Sequence, residues 1–282
     1  MAVRNKKIDW PKGPIFWEEG RTLYGSVPFT WDLPKVKAKL MNQSFLYDEV
    51  VLGGPAIYLM PDFFLDLPKV SIGPVFRGVL QRIHPLATRT TVGCPRNCMF
   101  CGVNRFEPRF KELPDWPDLP ILCDNNVLAA SQPHFDRVVD RLKKHKWCDF
   151  NQGIDARLLT GHHASRLKEL NNPVLRLALD SMEYADQWEE AFRKLIKAKI
   201  PKKDIRSYAL VGFDSGPDEA WKRCKWIEKH GIKPLPMWFH PLDSLQKNQV
   251  TDQQKELGWS GNRRKAIMQW FYQHKAKHLR NL

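Results

Sequence analysis

Ala87-Thr88-Arg89-Thr90-Thr91-Val92-Gly93-Cys94-Pro95-Arg96-Asn97-Cys98-Met99-Phe100-Cys101-Gly102 is the most informative stretch of the 282-residue chain. Residues 87–92 are strand-like and run into a loop carrying three cysteines. The thiols are separated by three and then two residues. A short loop of this kind can wrap three cysteines around one corner of a cube, and thiolates are the usual protein ligands of iron–sulfur clusters. Three ligands leave one iron of the cube without a protein ligand, which suits an iron that must bind a substrate. Structural zinc is the rival; it takes four ligands, commonly as two Cys pairs, and no second pair is present. His84, upstream of Cys94, is a fourth donor for that alternative. A third reading leaves three unliganded thiols in a buried loop.

Beyond the loop the pattern alternates. Pro120-Ile121-Leu122-Cys123, Trp147-Cys148-Asp149-Phe150, Val174–Leu179, Ile205–Val211 and Pro236-Met237-Trp238-Phe239 read as strands. Between them lie helical spacings: Phe135, Val138, Val139 and Leu142; Ala164, Leu167 and Leu170 after a capping Thr160; and Trp188, Ala191, Phe192, Leu195 and Ile196. Pro217 opens a further helix with Ala220, Cys224 and Ile227 inward, ended by His230-Gly231. A second Pro-rich loop runs from Pro108 to Pro120. Six strands and about five helices in alternation imply an α/β fold with a parallel sheet and right-handed crossovers. A curved partial barrel and a doubly wound sheet fit equally, and either gathers its functional loops at the strands' C-terminal ends.

Residues 1–83 are rich in Pro, Gly and aromatics. Their one clear element is Tyr47–Leu52, a short buried strand stopped by Gly53-Gly54-Pro55, with a short helix over Lys35–Met41. At the other end, residues 251–282 carry seven Lys or Arg against Asp252 and Glu256, an excess of five, interleaved with Trp259, Trp270, Phe271 and Tyr272. The whole chain has 45 Lys and Arg against 31 Asp and Glu, a net charge of +14. That excess favours polyanions, nucleic acid first and an anionic membrane surface second, with a merely solubilising surface as the plain alternative. No apolar run is long enough to span a bilayer, so no membrane partner is expected. The basic residues near Met1 are not followed by an apolar segment, so a secretory signal is not expected and a cytoplasmic location is. Cys123, Cys148 and Cys224 are scattered and spaced like core residues, unlike a disulfide framework.

The cysteine spacing, with the aromatic Phe100 just before the last thiol, resembles the radical S-adenosylmethionine superfamily. The resemblance covers residues 86–243 and implies a partial (β/α)6 barrel with the cysteine loop after its first strand. It is closest to the branch in which a small Rossmann-like domain precedes the barrel. Residues 1–85, with Val51-Leu52-Gly53-Gly54-Pro55, then read as a truncated remnant of that domain, and 244–282 as a basic helical extension.

The resemblance implies a [4Fe–4S] cluster on Cys94, Cys98 and Cys101, with S-adenosylmethionine on the remaining iron and an electron donor such as flavodoxin or ferredoxin. Reductive cleavage would give a 5′-deoxyadenosyl radical that takes hydrogen from an unactivated C–H bond. It further implies that Phe100, Asp124, Asn125, Asn126, Arg157, Asp180 and Gly212 surround the cofactor. Asp124 to Asn126 would face the methionine amino group, Arg157 the carboxylate, Asp180 the ribose and Gly212 the adenine. The plain alternatives are turn residues at strand ends and a surface pair for Arg157. Gln152 and Asp155 point to the same end, toward substrate or into local turns. His162-His163 reads as a solvated helix start and His240 as a surface turn.

Two departures narrow the expectation. There is no Asp-x-His-x-x-Gly stretch, so cobalamin is not expected. No cysteine precedes Cys94, so the second cluster of methylthiolating members is not expected either. The expected function is radical modification of nucleic acid, a tRNA or DNA base. A radical enzyme acting on a small molecule or peptide, and a zinc-stabilised nucleic-acid-binding protein, stand as alternatives.

Overall fold

Strands buried on both faces need near-continuous apolar runs, and Pro173–Leu179 and Ile205–Val211 meet that need. The structure, a computed structural model, describes residues 9–73 and 78–278, with side chains of the last helix described through Tyr272. The chain divides into two compact units. The first holds residues up to Ala87 with Cys101–Pro108 and Pro241–Lys247; the second holds Thr88–Phe100, Arg109–His240 and the residues from Asn248 onward.

In the first unit, β1 (Ile15–Glu19) and β2 (Thr22–Ser26) form an antiparallel hairpin. Gly20 sits at its turn with φ +62°, a conformation glycine adopts without penalty. Helix α1 (Leu33–Gln43) carries the chain to β3 (Glu49–Gly53), and α2 (Pro55–Leu59) precedes β4 (Val70–Ile72). β2, β3 and β4 are parallel neighbours in the order β1-β2-β3-β4. Leu33, Val36 and Leu40 of α1 bury against Val50, Leu52 and Ile57. Helix α3 (Val79–Ile83) follows. The expected strand and helix are present. The hairpin and β4 were not anticipated, because their strands are short and half-exposed rather than continuously apolar. Part of the expected remnant, residues 1–8 and 74–77, lies outside the described residues.

The second unit is built on a six-stranded sheet. β5 (Ala87–Thr88) is followed by β6 (Thr91–Val92), α4 (Val103–Phe106, placed with the first unit) and β7 (Lys111–Glu112). Then come β8 (Ile121–Leu122), α5 (Gln132–Leu142), β9 (Cys148–Phe150), α6 (Gly161–Lys168) and β10 (Pro173–Leu179). α7 (Ala185–Lys197), β11 (Ile205–Val211), α8 (Pro217–Lys229) and β12 (Lys233–Trp238) complete the alternation. The sheet order is β12-β11-β10-β9-β8-β5, and the neighbours from β8 to β12 pair in parallel. Each strand lies beside its predecessor. A doubly wound sheet reverses its order at a switch point, and this order has no reversal.

The expected first strand needs correction. Only Ala87–Thr88 joins the main sheet, where the Thr88 carbonyl accepts from Cys123 N–H at 2.8 Å. Thr91–Val92 instead pairs antiparallel with Lys111–Glu112, inside the stretch expected to be a plain Pro-rich loop. The physical reason is the buried carboxylate of Asp124, which draws Thr90 and Thr91 to itself.

The helices bury the faces their spacing marks. Phe135, Val138 and Val139 of α5 are wholly buried, as are Trp188 and Leu195 of α7 and Ala220, Cys224 and Ile227 of α8. Each large apolar side chain so buried contributes on the order of 1.5–3 kcal/mol. Thr160 caps α6 in a reciprocal capping box with His163.

Residues from Asn248 onward pack on this same unit. Thr251 caps α9 (Asp252–Glu256), and Gln254 Nε2 donates to the Gly212 carbonyl at 2.6 Å. Trp259 is buried and donates from Nε1 to the Ser215 carbonyl at 2.8 Å. Ile267 and Phe271 of α10 (Gly261–His278) join the core. The aromatics of this segment thus divide: Trp259 and Phe271 are core, whereas Trp270 and Tyr272 remain 41% and 40% exposed. Arg280 and the side chains of Lys275 and Lys277, counted in the basic tail, lie outside the described residues. Among the described residues no helix is long and apolar enough to cross a membrane.

Candidate metal centre

The cysteine loop leaves the end of β6 at Gly93, whose φ is +75°. None of the six cysteines forms a disulfide. Cys94, Cys98 and Cys101 are partly exposed, whereas Cys123, Cys148 and Cys224 are buried. Burial pushes each of those three thiols up to about 12, helped at Cys123 by Asp124 and at Cys148 by Asp149. They are inert core residues, as their spacing suggests.

The sulfur of Cys94 receives two hydrogen bonds. Cys94 Sγ accepts from the backbone N–H of Arg96 at 3.4 Å and from Asn126 Nδ2 at 3.6 Å. Arg96, Asn126 and Arg157 converge on Asp155, whose side chain is 8% exposed. Arg157 grips it with Nε on Oδ1 at 2.8 Å and Nη2 on Oδ2 at 3.1 Å. Arg96 Nε and Asn126 Nδ2 each reach Oδ2 at 3.2 Å. Burial opposes ionisation of Asp155, but Arg157 and then Arg96 outweigh it and hold the carboxyl below the ordinary range. The same pairing holds the Arg157 guanidinium firmly protonated. Tyr184 lies under that guanidinium, 5.1 Å from ring centroid to Cζ.

Asp124 and Asn126 follow β8. Asp124 is 2% exposed; its Oδ1 accepts from the backbone N–H and hydroxyl of both Thr90 and Thr91. Desolvation raises its pKa despite these donors. Asp124 Oδ2 and Asn126 Oδ1 are buried acceptors with no protein partner. Asn125 is partly exposed between them. The Asp124 carboxylate therefore ties down the approach to the cysteine loop, a role the sequence did not disclose.

Asp180 follows β10, and burial pushes its carboxyl up to about 6 against the pull of Arg223 and Arg157. Arg223 is a buried α8 residue bonded to the Leu210 carbonyl, Ser215 Oγ and Glu219. Gly212 ends β11 with φ +80°, and a Cβ there would stand 2.5 Å from the Trp238 ring. Its close packing is thus with an indole of the protein itself. Phe100 meets Phe213 edge-on at 5.6 Å, and Phe213 meets Phe239 at 4.9 Å. These aromatics follow β11 and β12 and had no local signal.

Arg157 was expected to meet a carboxylate as a bidentate partner or to pair on the surface. Its bidentate partner is Asp155, a half-buried pair within the site. Gln152 is exposed. His84 is buried, meets the Trp10 ring at 4.6 Å with the planes tilted by 35°, and accepts from Leu86 N–H, so it serves its own turn. His162 pairs with Asp136, while His163 is buried in the capping box; only the first matches a solvated helix start. His240 Nε2 accepts from Asn248 N–H in a turn.

Among the described residues no group of three His, Cys, Asp or Glu side chains stands assembled as a metal site. The fit to a cluster rests on donor chemistry. Three partly exposed thiols outside any disulfide lie in one loop, with donors already on the Cys94 sulfur, and that donor set matches what an anionic iron–thiolate centre needs. No protein-family model and no curated protein matches the chain.

Proposed function

We propose that the chain is a radical S-adenosylmethionine enzyme that modifies a nucleic acid, with Cys94, Cys98 and Cys101 as the cluster ligands. The observation that supports the proposal is the Cys-x3-Cys-x2-Cys loop, reached through β6 soon after β5 opens a sheet whose six strands follow chain order. That order is what a partial (β/α)6 barrel requires, and it gathers Asn126, Asp155, Arg157 and Asp180 at the strands' C-terminal ends.

When bound, a [4Fe–4S] cluster would supply one-electron cleavage of the sulfonium of S-adenosylmethionine and so a carbon radical for hydrogen abstraction. The chain's own residues bind and orient. Asn126 Nδ2 and the Arg96 N–H donate to the sulfur of Cys94. Asp124 Oδ2 and Asn126 Oδ1 are the buried acceptors suited to an ammonium group. Phe100, Phe213 and Phe239 supply apolar cover that excludes water.

A nucleic-acid substrate is supported by the charge of +14 and by the exposed Trp270 and Tyr272. Lys225 Nζ lies 5.0 Å from the Trp270 ring and Lys233 Nζ 5.7 Å from the Tyr272 ring. Aromatic faces edged by lysines suit unpaired bases and their phosphates. The test is anaerobically reconstituted chain with dithionite and S-adenosylmethionine, assayed for 5′-deoxyadenosine with and without tRNA or DNA. Release stimulated by nucleic acid is expected. No release under any condition contradicts the proposal.

A further inference from the structure

Helices α5 to α8 share one side of the main sheet. Phe135, Leu167, Trp188 and Ala220 form a single cluster with Leu175 and Ala209. Trp188 Nε1 also donates to Ser207 Oγ at 2.9 Å. Side chains alternate along a strand, so the residues between these line the other side. They include Arg176 of β10, Arg206 and Leu210 of β11, and Lys233, Leu235 and Met237 of β12. Leu210 is buried yet stands outside the helix-side cluster, and Met237 is 46% exposed.

The strand register sets the cations of this side in a row. Arg176 is the register partner of Arg206, and Arg206 of Lys233. Neighbouring strands lie about 4.8 Å apart, so like charges so placed repel. Among the described residues of β9 to β12 on this side, Asp149 is the one carboxylate, and Arg176 closes on both of its oxygens. Arg206 forms no ion pair with the described residues. The Tyr208 hydroxyl donates to the Asn151 carbonyl at 2.8 Å and so is already engaged. Toward the strands' C-terminal ends the same side turns apolar. Leu210 and Met237 lie four residues beyond Arg206 and Lys233, which is about 13 Å along a strand.

We infer that this side of the sheet binds a nucleoside phosphate, with the phosphate on Arg206 and Lys233 and the base along Leu210, Leu235 and Met237. Charge complementarity selects the occupant. A phosphate supplies the negative charge that the row lacks, and a guanidinium holds it through two parallel hydrogen bonds. The weakly polar base is the part that apolar side chains shelter from water. Cations at the strand starts and apolar residues at their ends aim the base at the C-terminal end of the sheet. The inference deepens the proposed function and rests on it for the source of the nucleotide, a nucleic-acid strand rather than a free molecule. The phosphate contact rests on this side of the sheet alone.

The experiment measures binding of three probes to the full chain: a short single-stranded RNA, adenosine 5′-monophosphate and ribose 5-phosphate. Arg206→Gln and Lys233→Gln are each expected to weaken all three about tenfold. Arg206→Lys keeps the charge; it should weaken them less, and it carries the comparison should Arg206→Gln fail to fold. Lys197→Gln/Lys229→Gln removes two exposed charges from the helix side and should leave the mononucleotide unaffected. For RNA, Arg206→Gln/Lys233→Gln should reduce the log–log salt slope by about 0.7, the value for one phosphate. Met237→Ser should weaken adenosine 5′-monophosphate but not ribose 5-phosphate; equal effects on the two would overturn the placing of the base.

Mononucleotide binding lost in Arg206→Gln/Lys233→Gln, with no RNA binding by wild type, upholds the site and overturns the nucleic-acid substrate. Unchanged binding of every probe by that double variant overturns the inference and leaves the proposed function standing. A wild-type chain that binds none of the three overturns both.

Discussion

Thr91 donates to one oxygen of Asp124 twice, through its backbone N–H and, at 2.6 Å, through its hydroxyl. Thr90 does the same, at 2.9 and 3.0 Å. This clasp ends the first strand of the main sheet and turns the chain toward Cys94. Asp124→Ala would strand buried donors, so it is expected to destabilise the fold by on the order of 3 kcal/mol. Urea denaturation of the purified chain measures this. A loss below about 0.5 kcal/mol, typical of surface substitutions, would show that the clasp is not needed.

Gly212→Ala meets two penalties: a left-handed backbone at φ +80° and a ring atom 2.5 Å from the new Cβ. A loss of more than about 2 kcal/mol is expected. Replacing Trp238 with Leu alongside should recover part of it, because the clash is with the indole and the backbone strain is not. A Gly212→Ala chain as stable as wild type would place the indole elsewhere.

Trp259→Ala probes whether the C-terminal segment is core or appendage. Its ring is 2% exposed, meets Trp238 edge-on at 5.0 Å and donates to the Ser215 carbonyl. Truncation should cost about 3–5 kcal/mol, as for other buried aromatics. A negligible change in the denaturation midpoint would contradict the docking of this segment.

Asp180 gives a pH signature. Its folded pKa of about 6 lies above the ordinary value of 3.8, because burial disfavours the charge. Between those values the folded state holds the proton more tightly than the unfolded state. Stability should therefore fall as pH rises from about 4 to about 6, and level off above. Asp180→Asn should lose this fall. Denaturation curves of both chains across that range decide it; parallel curves would contradict the buried setting of Asp180.

Much of the fold was legible in the chain. Buried parallel strands read as apolar runs and the helices at a period of 3.6, so the alternation from Pro120 to Phe239 emerges directly. Legibility failed where a distant group overrides a local pattern. Ala87–Val92 is continuous as a pattern, but Asp124, more than thirty residues on, divides it between two sheets. The hairpin at Ile15–Ser26 has strands too short and exposed to announce themselves. At the site, the cysteines and Phe100 were plain from spacing. Asp155 was visible only as a polar residue near a strand end, since its grip on Arg96, Asn126 and Arg157 exists only in three dimensions. Gly212 showed a need for close packing but not that Trp238 is what it packs against.

Binding to single-stranded RNA or DNA should weaken with salt, with a log–log slope of about −0.7 for each phosphate neutralised. Trp270→Ala should weaken binding without altering that slope, since stacking is not a counterion effect. Filter binding over a salt series tests both. Salt-independent or absent binding would contradict the nucleic-acid substrate.

The central claim, that this loop holds an iron–sulfur cluster, is tested most directly by iron and sulfide analysis after anaerobic reconstitution. Wild type should turn brown, with iron and acid-labile sulfide in the equal amounts of a [4Fe–4S] cluster. Cys94→Ala, Cys98→Ala and Cys101→Ala should each lose it, and Cys123→Ala, Cys148→Ala and Cys224→Ala should keep it. A colourless wild-type chain, or one carrying stoichiometric zinc on the same three cysteines, would contradict the account.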